Sequence, residues 1–181
     1  KNLATQLAVR GDFEILHYNR ESTSDDLRLV VEEADFICHM AGVNRPDDVD
    51  EFARINTGLT ETLCQAVQES GRHVSIIFAS SVHVEQDNPY GASKLAAEQA
   101  LLKYSEKTGA PVYIFRLPHV FGKWCRPEYN SVVATFCYNV ARGLPIQIDD
   151  PSYVLNLVYI DDLVATFVRI MTGKEACKAY Y

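Results

Sequence analysis

The feature that most constrains this chain is the regular alternation of two kinds of segment. Short runs rich in β-branched and aromatic residues, FEILHYN (13–19), FICHMAG (36–42), VSIIFASS (74–81) and VYIFRL (112–117), read as strands. Between and after them, apolar residues recur at helical period over 2–9, 25–35, 48–71, 90–109 and 131–143, and a last helix starts near Asp161. Ser24 or Asp25 is the expected cap of the second helix. Strands joined through helices must run parallel, so the chain is predicted to be α/β with a doubly wound parallel sheet. The 181 residues suffice for one domain, and 48% hydrophobic with 23% charged content excludes a disordered or fibrous class.

Charge and cysteine usage narrow the partners. The formal charge of −7 and the lack of any Lys/Arg run give no support for a nucleic-acid surface or an anionic membrane surface. No apolar run approaches the roughly 18 residues of a membrane span, and no secretory signal opens the chain; a cytoplasmic protein is expected. Five cysteines, at 38, 64, 125, 137 and 177, include no C-x-x-C pair. Buried free thiols are therefore expected, with neither a disulfide framework nor a metal site.

One part of the usual dinucleotide sheet is absent from these residues. Such sheets begin with a strand and a glycine-rich turn that offers backbone N–H groups to a pyrophosphate, but the nine glycines form no G-x-G-x-x-G. The expectation is that a first strand and its turn, on the order of ten residues, precede Lys1 in the natural protein. Residues 1–181 would then be one dinucleotide-binding domain truncated at both ends. Between strands 13–19 and 36–40 there is space for one helix and no further strand.

The chemistry-bearing stretch is SSVHVEQDNPYGASK (80–94). Tyr90 and Lys94, four apart, share a face if the helix begins at Tyr90. An ammonium beside a phenol favours phenolate, which suits a general acid/base tyrosine. Ser81 closes a strand at its carboxyl end, where open α/β sheets hold their ligands, and can bond the same substrate oxygen.

Further stretches fall in the order seen in one family. ADFICHMAG (34–42) resembles D-x-V-x-H-x-A-G, INTGLTETLCQAV (55–67) resembles N-x-x-G-T-x-N-L-L-E-A, and YGASK resembles Y-x-x-x-K. RLPHVFG (116–122) resembles R-x-x-N-V-Y-G, LVYIDDLV (157–164) resembles F-V-Y-V-D-D-L-V, and FASS (78–81) resembles the serine strand. With these motifs the chain resembles the extended short-chain dehydrogenase/reductases that rework nucleotide sugars, which have a Rossmann-like fold. The resemblance implies that Tyr90 donates a proton to a keto oxygen, Ser81 positions that carbonyl, and Lys94 holds the nicotinamide ribose. It places Ala41, Gly42, Leu117, Pro118 and His119 against the cofactor.

The wording DNPYGASK, FGKWCRPEYNSVVATFCYNVARG and AGVNRP is similar to the reductase domain of bifunctional capsular-polysaccharide enzymes. That likeness implies NADPH-dependent reduction of the 4-keto group of a UDP-linked 2-acetamido-2,6-dideoxy-hexosulose. It also implies a homodimer or higher oligomer paired through helices 48–71 and 90–109, and a cupin domain in the full-length protein. A nucleotide-sugar 4-epimerase with bound NAD and a non-catalytic dinucleotide sensor are the alternatives. Against a 4,6-dehydratase, Val82 and His83 stand where an acid pair would follow the serine.

Departures from the family pattern assign further candidates. Leu155 and Asn156 replace the arginine and acid that meet a diphosphate, which leaves Arg142, Arg126 and Lys123 as candidate cations for the substrate pyrophosphate. His83 is a candidate to face the substrate; Asn130 is expected to cap the helix it precedes and to touch the nucleotide sugar. Asn19 and Arg20 stand where NAD-specific sheets carry an acid, so Arg20 favours NADP(H) over NAD, with Glu21 opposing it. His17 and His39 read as buried core histidines, Asn56 as a support for the site, and Asp161 and Asp162 as helix caps.

Overall fold

A computed structural model of the chain describes residues 1–174; Cys177 lies outside the described residues. In chain order the elements are α1 (Asn2–Arg10), α2 (Ser24–Glu33), β1 (Phe36–His39), a π-helix (Phe52–Gly58), α3 (Leu59–Glu69) and β2 (Ser75–Ser81). A 3-10 turn (Val82–Glu85), α4 (Pro89–Thr108), β3 (Val112–Leu117), β4 (His119–Phe121), α5 (Val132–Val140), β5 (Leu157–Tyr159) and α6 (Ile160–Met171) follow. They form two compact units, one of residues 16–117 and one of residues 1–15 with 118–174.

The larger unit contains a parallel ladder in the order β1-β2-β3, in which Ser81 lies opposite Leu117 and His39 opposite Phe78. β2 is its middle strand, and Ile76, Ile77 and Phe78 are each almost fully buried. One core joins this strand to three helices. Leu27 and Val31 of α2, Leu63 and Val67 of α3, and Ala97, Leu101 and Tyr104 of α4 pack with Ile76 and Phe78, the i, i+4 stripes that helical period requires. The Tyr104 hydroxyl donates to Val74 O at 2.8 Å, which satisfies the polar end of an otherwise apolar ring.

In the smaller unit β4 and β5 pair in parallel, His119 opposite Leu157. There Leu7 of α1 packs with Val164 and Val168 of α6, and Phe13 and Ile15 close over them. Among the described residues no helix is long and apolar enough to cross a membrane.

Several expectations are corrected. Residues 13–19 are not a strand: none of the described residues forms a ladder with them, and Leu16, His17 and Tyr18 are exposed. The exposure of His17 also ends its reading as a core histidine. The cap of α2 is Thr23, not Ser24 or Asp25; its hydroxyl accepts from Asp26 N–H while the Asp26 carboxylate accepts from Thr23 N–H, a reciprocal capping box. β1 stops at His39 because its pairing with β2 ends there. The segment 48–71 divides into a π-helix and α3, a distinction that apolar periodicity does not carry. β4 and β5, three residues each, are too short to register as a pattern. Cys64 is buried as expected, but Cys137 is exposed.

Candidate active site

The site grows out of the carboxyl end of β2. Ser81 is its last residue, 6% exposed, and its Oγ accepts the His83 N–H at 3.2 Å, which leaves the hydroxyl proton free to be donated elsewhere. The chain then makes the 3-10 turn and enters α4, where the Asn88 side chain accepts the Gly91 N–H at 2.8 Å and Pro89 takes the first helical position. A Cβ at Gly91 would stand 2.3 Å from His83 O and 2.7 Å from Gln86 O. Only glycine lets the turn after Ser81 close onto the start of α4. That closure brings the Tyr90 ring edge-on to His83 at 6.2 Å, with Phe52 at 5.7 Å on another side. None of the described residues hydrogen-bonds the Tyr90 hydroxyl.

One turn further along α4, Lys94 is buried, 6% exposed. Its ammonium donates to Ala79 O at 2.9 Å and lies 4.7 Å from the centre of the Phe78 ring. Burial pushes its pKa down from 10.5 to about 8, against an opposing pull from the Glu98 carboxylate. The turn after β1 lies against this ammonium: a Cβ at Gly42 would meet Asn56 Oδ1 at 2.9 Å and Lys94 Nζ at 3.4 Å. The exposed Ala41–Gly42 backbone therefore offers a surface that can be approached closely beside a cation.

Asn56 holds that turn. Its Oδ1 accepts the Val43 N–H at 2.8 Å, and its Nδ2 donates to Val43 O and to Ser93 Oγ, both at 3.0 Å. The asparagine expected as a support thus ties the β1 turn to α4. Thr57 adds a bond from its hydroxyl to Ser93 O at 3.0 Å. His39 is buried as expected and meets Thr60 Oγ1 at 2.8 Å. Because the Thr60 hydroxyl spends its proton on Asn56 O, His39 must donate through Nε2. Burial, followed by repulsion from Lys94, lowers its pKa from 6.5 to about 4.

Of the predicted residues, Ser81, His83, Tyr90, Lys94 and Gly42 are drawn together in the larger unit through these contacts. Leu117 ends β3 beside Ser81. Arg20 is exposed in a turn whose Asn19 side chain accepts the Glu21 N–H at 2.9 Å. Pro118, His119, Lys123, Arg126, Asn130 and Arg142 belong to the smaller unit. There the His119 N–H donates to Asn156 O at 3.2 Å, Arg126 lies 5.7 Å from the Tyr129 ring, and Arg142 stacks 3.8 Å over Tyr138. Two assignments fail in this unit. Asn130 does not cap α5, since Ser131 accepts the Ala134 N–H. Asp161 and Asp162 lie inside the first turn of α6 without capping it, and Asp161 pairs with Lys123 at 2.8 Å. That pair occupies a lysine offered for a diphosphate.

Sequence reasoning missed a polar group beside the site, made of the buried Ser80 and Glu98 and the partly buried Arg116. The signal was an arginine inside an apolar strand and an acid on the buried face of a helix, neither of which is retained without a partner. Among the described residues no cluster of three or more His, Cys, Asp or Glu side chains is arranged to hold a metal.

Residues 6–180 match the model of the family described as "NAD dependent epimerase/dehydratase family". A Pseudomonas aeruginosa protein, UDP-2-acetamido-2,6-beta-L-arabino-hexul-4-ose reductase, is 51% identical over 174 residues, which cover 96% of this chain and 47% of the relative. The capsular polysaccharide assembling protein CapF from Staphylococcus aureus superposes with a TM-score of 0.84 at 41% identity, over 98% of this chain and 48% of CapF. UDP-glucuronic acid 4-epimerase from Bacillus cereus in complex with NAD, 21% identical with a TM-score of 0.76 over 96% of this chain and 62% of that one, shares the fold. The chain spans about half the length of the reductase and of CapF.

Proposed function

Because this chain belongs to the NAD dependent epimerase/dehydratase family, with the Rossmann-like parallel architecture expected from its sequence, we propose that it reduces the 4-keto group of a UDP-linked 2-acetamido-2,6-dideoxy-hexosulose with NADPH, in the supply of precursors for a capsular or surface polysaccharide. The observation that carries this reading is the gathering of Ser81, Tyr90 and a buried Lys94 at the carboxyl end of β2. The likeness to a UDP-4-keto-sugar reductase at 51% identity supplies the substrate class.

The residues present fit a nicotinamide ribose. Lys94 has three donors and gives one of them to Ala79 O, and the Gly42 turn leaves room beside it that a side chain would fill. A dinucleotide held there would supply the hydride for the keto carbon. Tyr90 gives the phenolic proton to the keto oxygen as charge develops there, and Ser81, whose Oγ already accepts from His83 N–H, donates its hydroxyl proton as a hydrogen bond to the same oxygen. The Lys94 cation stabilises the phenolate left behind. Arg20, exposed at its turn, suits a 2′-phosphate and underlies the choice of NADP(H) over NAD. Arg126 and Arg142 are the remaining candidates for the substrate diphosphate, with His83 beside the sugar.

Pairing of two copies through segments 48–71 and 90–109 and a cytoplasmic site of action belong to the same reading. The test is the protein as the cell makes it, mixed with NADPH and the UDP-linked 4-keto sugar while NADPH absorbance is followed. Stoichiometric loss of NADPH with appearance of the 4-hydroxy sugar supports the assignment. Interconversion of 4-epimers without net NADPH consumption would replace it with a 4-epimerase, and binding of dinucleotide with no turnover of any 4-keto sugar would leave a sensor.

A further inference from the structure

Glu98 sits on α4 one turn beyond Lys94 and is 3% exposed. A buried carboxylate is retained only where it is paired and hydrogen-bonded, and this one is engaged on every side. The Ser80 hydroxyl donates to its Oε1. Arg116 Nε lies 3.2 Å from Oε1 and 3.3 Å from Oε2, and its Nη2 lies 2.8 Å from Oε2. Ser80 and Arg116 are register partners across β2 and β3, so they present their side chains on one face of the sheet. The other arm of the guanidinium, Nη1, reaches Glu85 Oε1 at 3.6 Å. Glu85 ends the 3-10 turn that begins just after Ser81. The same ionic group therefore ties the chain just before Ser81, at Ser80, to the helix carrying Tyr90 and Lys94, and adds a looser, solvent-exposed ion pair to Glu85 just after it.

We propose that Glu98, fixed by Arg116, is a positioning residue of this site: it locks the strand end bearing Ser81 against the helix bearing Tyr90 and Lys94, and is the anion that keeps the Lys94 ammonium charged. The second role rests on placement four residues along one helix face and on the field that Glu98 exerts on Lys94. The other groups facing Lys94 do not supply it. His39 on β1 repels when charged; Asn56 is uncharged, and Arg116 lies beyond Glu98 with the wrong sign. The catalytic half of this inference rests on the reductase reading above; the electrostatic half does not.

Two variants separate the roles. Glu98→Gln keeps an acceptor for Ser80 but removes the charge and the two-point pairing with Arg116. Ser80→Ala removes one tie and leaves the charge, and its small side chain protects the fold. In the reductase assay Glu98→Gln is expected to lose tenfold or more in kcat with KM changed less than about twofold, and to move the alkaline limb of the kcat/KM profile to lower pH. Ser80→Ala is expected to lose a smaller factor in kcat with that limb unmoved. Independently of any substrate, lysine-labelled protein followed by NMR should show the titration of Lys94 at lower pH in Glu98→Gln and unchanged in Ser80→Ala. An active parent with kcat and pH profile preserved in Glu98→Gln overturns the positioning role. An unshifted Lys94 titration in folded Glu98→Gln overturns the electrostatic role, and it does so even if the parent turns out not to reduce the sugar. Should Glu98→Gln fail to fold, an unaltered kcat in Ser80→Ala overturns the clamp.

Discussion

Replacing Lys94 by methionine should change the pH dependence of stability in a way that can be worked out beforehand. Burial takes the ammonium pKa from 10.5 to about 8, so in the folded state the charged form is disfavoured by about 3 kcal/mol. The folded pKa is the lower one. Between about pH 8 and 10.5 the unfolded chain holds the proton that the folded chain has released, and stability rises with pH across that window. Methionine has no such proton. The parent should therefore gain on Lys94→Met by about 2 to 3 kcal/mol between pH 7 and pH 10, whatever fixed amount is lost with the bond to Ala79 O and the contact with Phe78. Urea unfolding of both proteins, followed by far-UV circular dichroism at the two pH values, measures it. A difference that is flat with pH, or one that moves against the parent as pH rises, would refute the burial argument.

Other expectations follow from single contacts. Gly91→Ala drives a Cβ into His83 O and Gln86 O, and overpacking of that kind should destabilise by about 1 to 3 kcal/mol in urea unfolding; a neutral effect would mean that the turn after Ser81 does not close on α4. His39 is neutral in the fold down to about pH 4, so the unfolded chain takes up its proton first as pH falls. The parent should lose up to about 3 kcal/mol relative to His39→Gln between pH 6.5 and 4, read from paired unfolding curves. Arg20→Ala should weaken NADPH binding while leaving NADH binding unchanged in the protein as the cell makes it. A preference for NADPH that survives the change would assign it elsewhere.

Much of this site was legible because strand ends and helix starts leave strong local marks. The apolar run that becomes β2 stops at Ser81, and the helical period of α4 is legible from Tyr90 onward, so the placement of Ser81, Tyr90 and Lys94 at one end of the sheet followed from local rules; the Asn88 cap and Pro89 one residue earlier escaped that reading. What was not legible depends on pairing at a distance. Residues 13–19 are rich in apolar and aromatic residues like a strand, but a strand requires a ladder partner, and the segment has none among the described residues. Asp161 looked like a cap because acids favour helix starts; Lys123, 38 positions away in sequence, takes its carboxylate instead. Asn130 lost its capping role to a neighbouring serine, a one-residue distinction below the resolution of sequence patterns. The Ser80–Glu98–Arg116 group joins a strand, a helix and a second strand, and no single window contains it.

The central claim is that the Tyr90 phenol protonates the keto oxygen of the sugar. Its most direct test is the single-turnover rate of NADPH oxidation by the UDP-linked 4-keto sugar in Tyr90→Phe, with dinucleotide affinity measured on the same sample. The rate should fall by roughly 100- to 10,000-fold while NADPH binds as tightly as in the parent, because the ring and its contacts with His83 and Phe52 remain. Turnover within a few-fold of the parent would contradict the account.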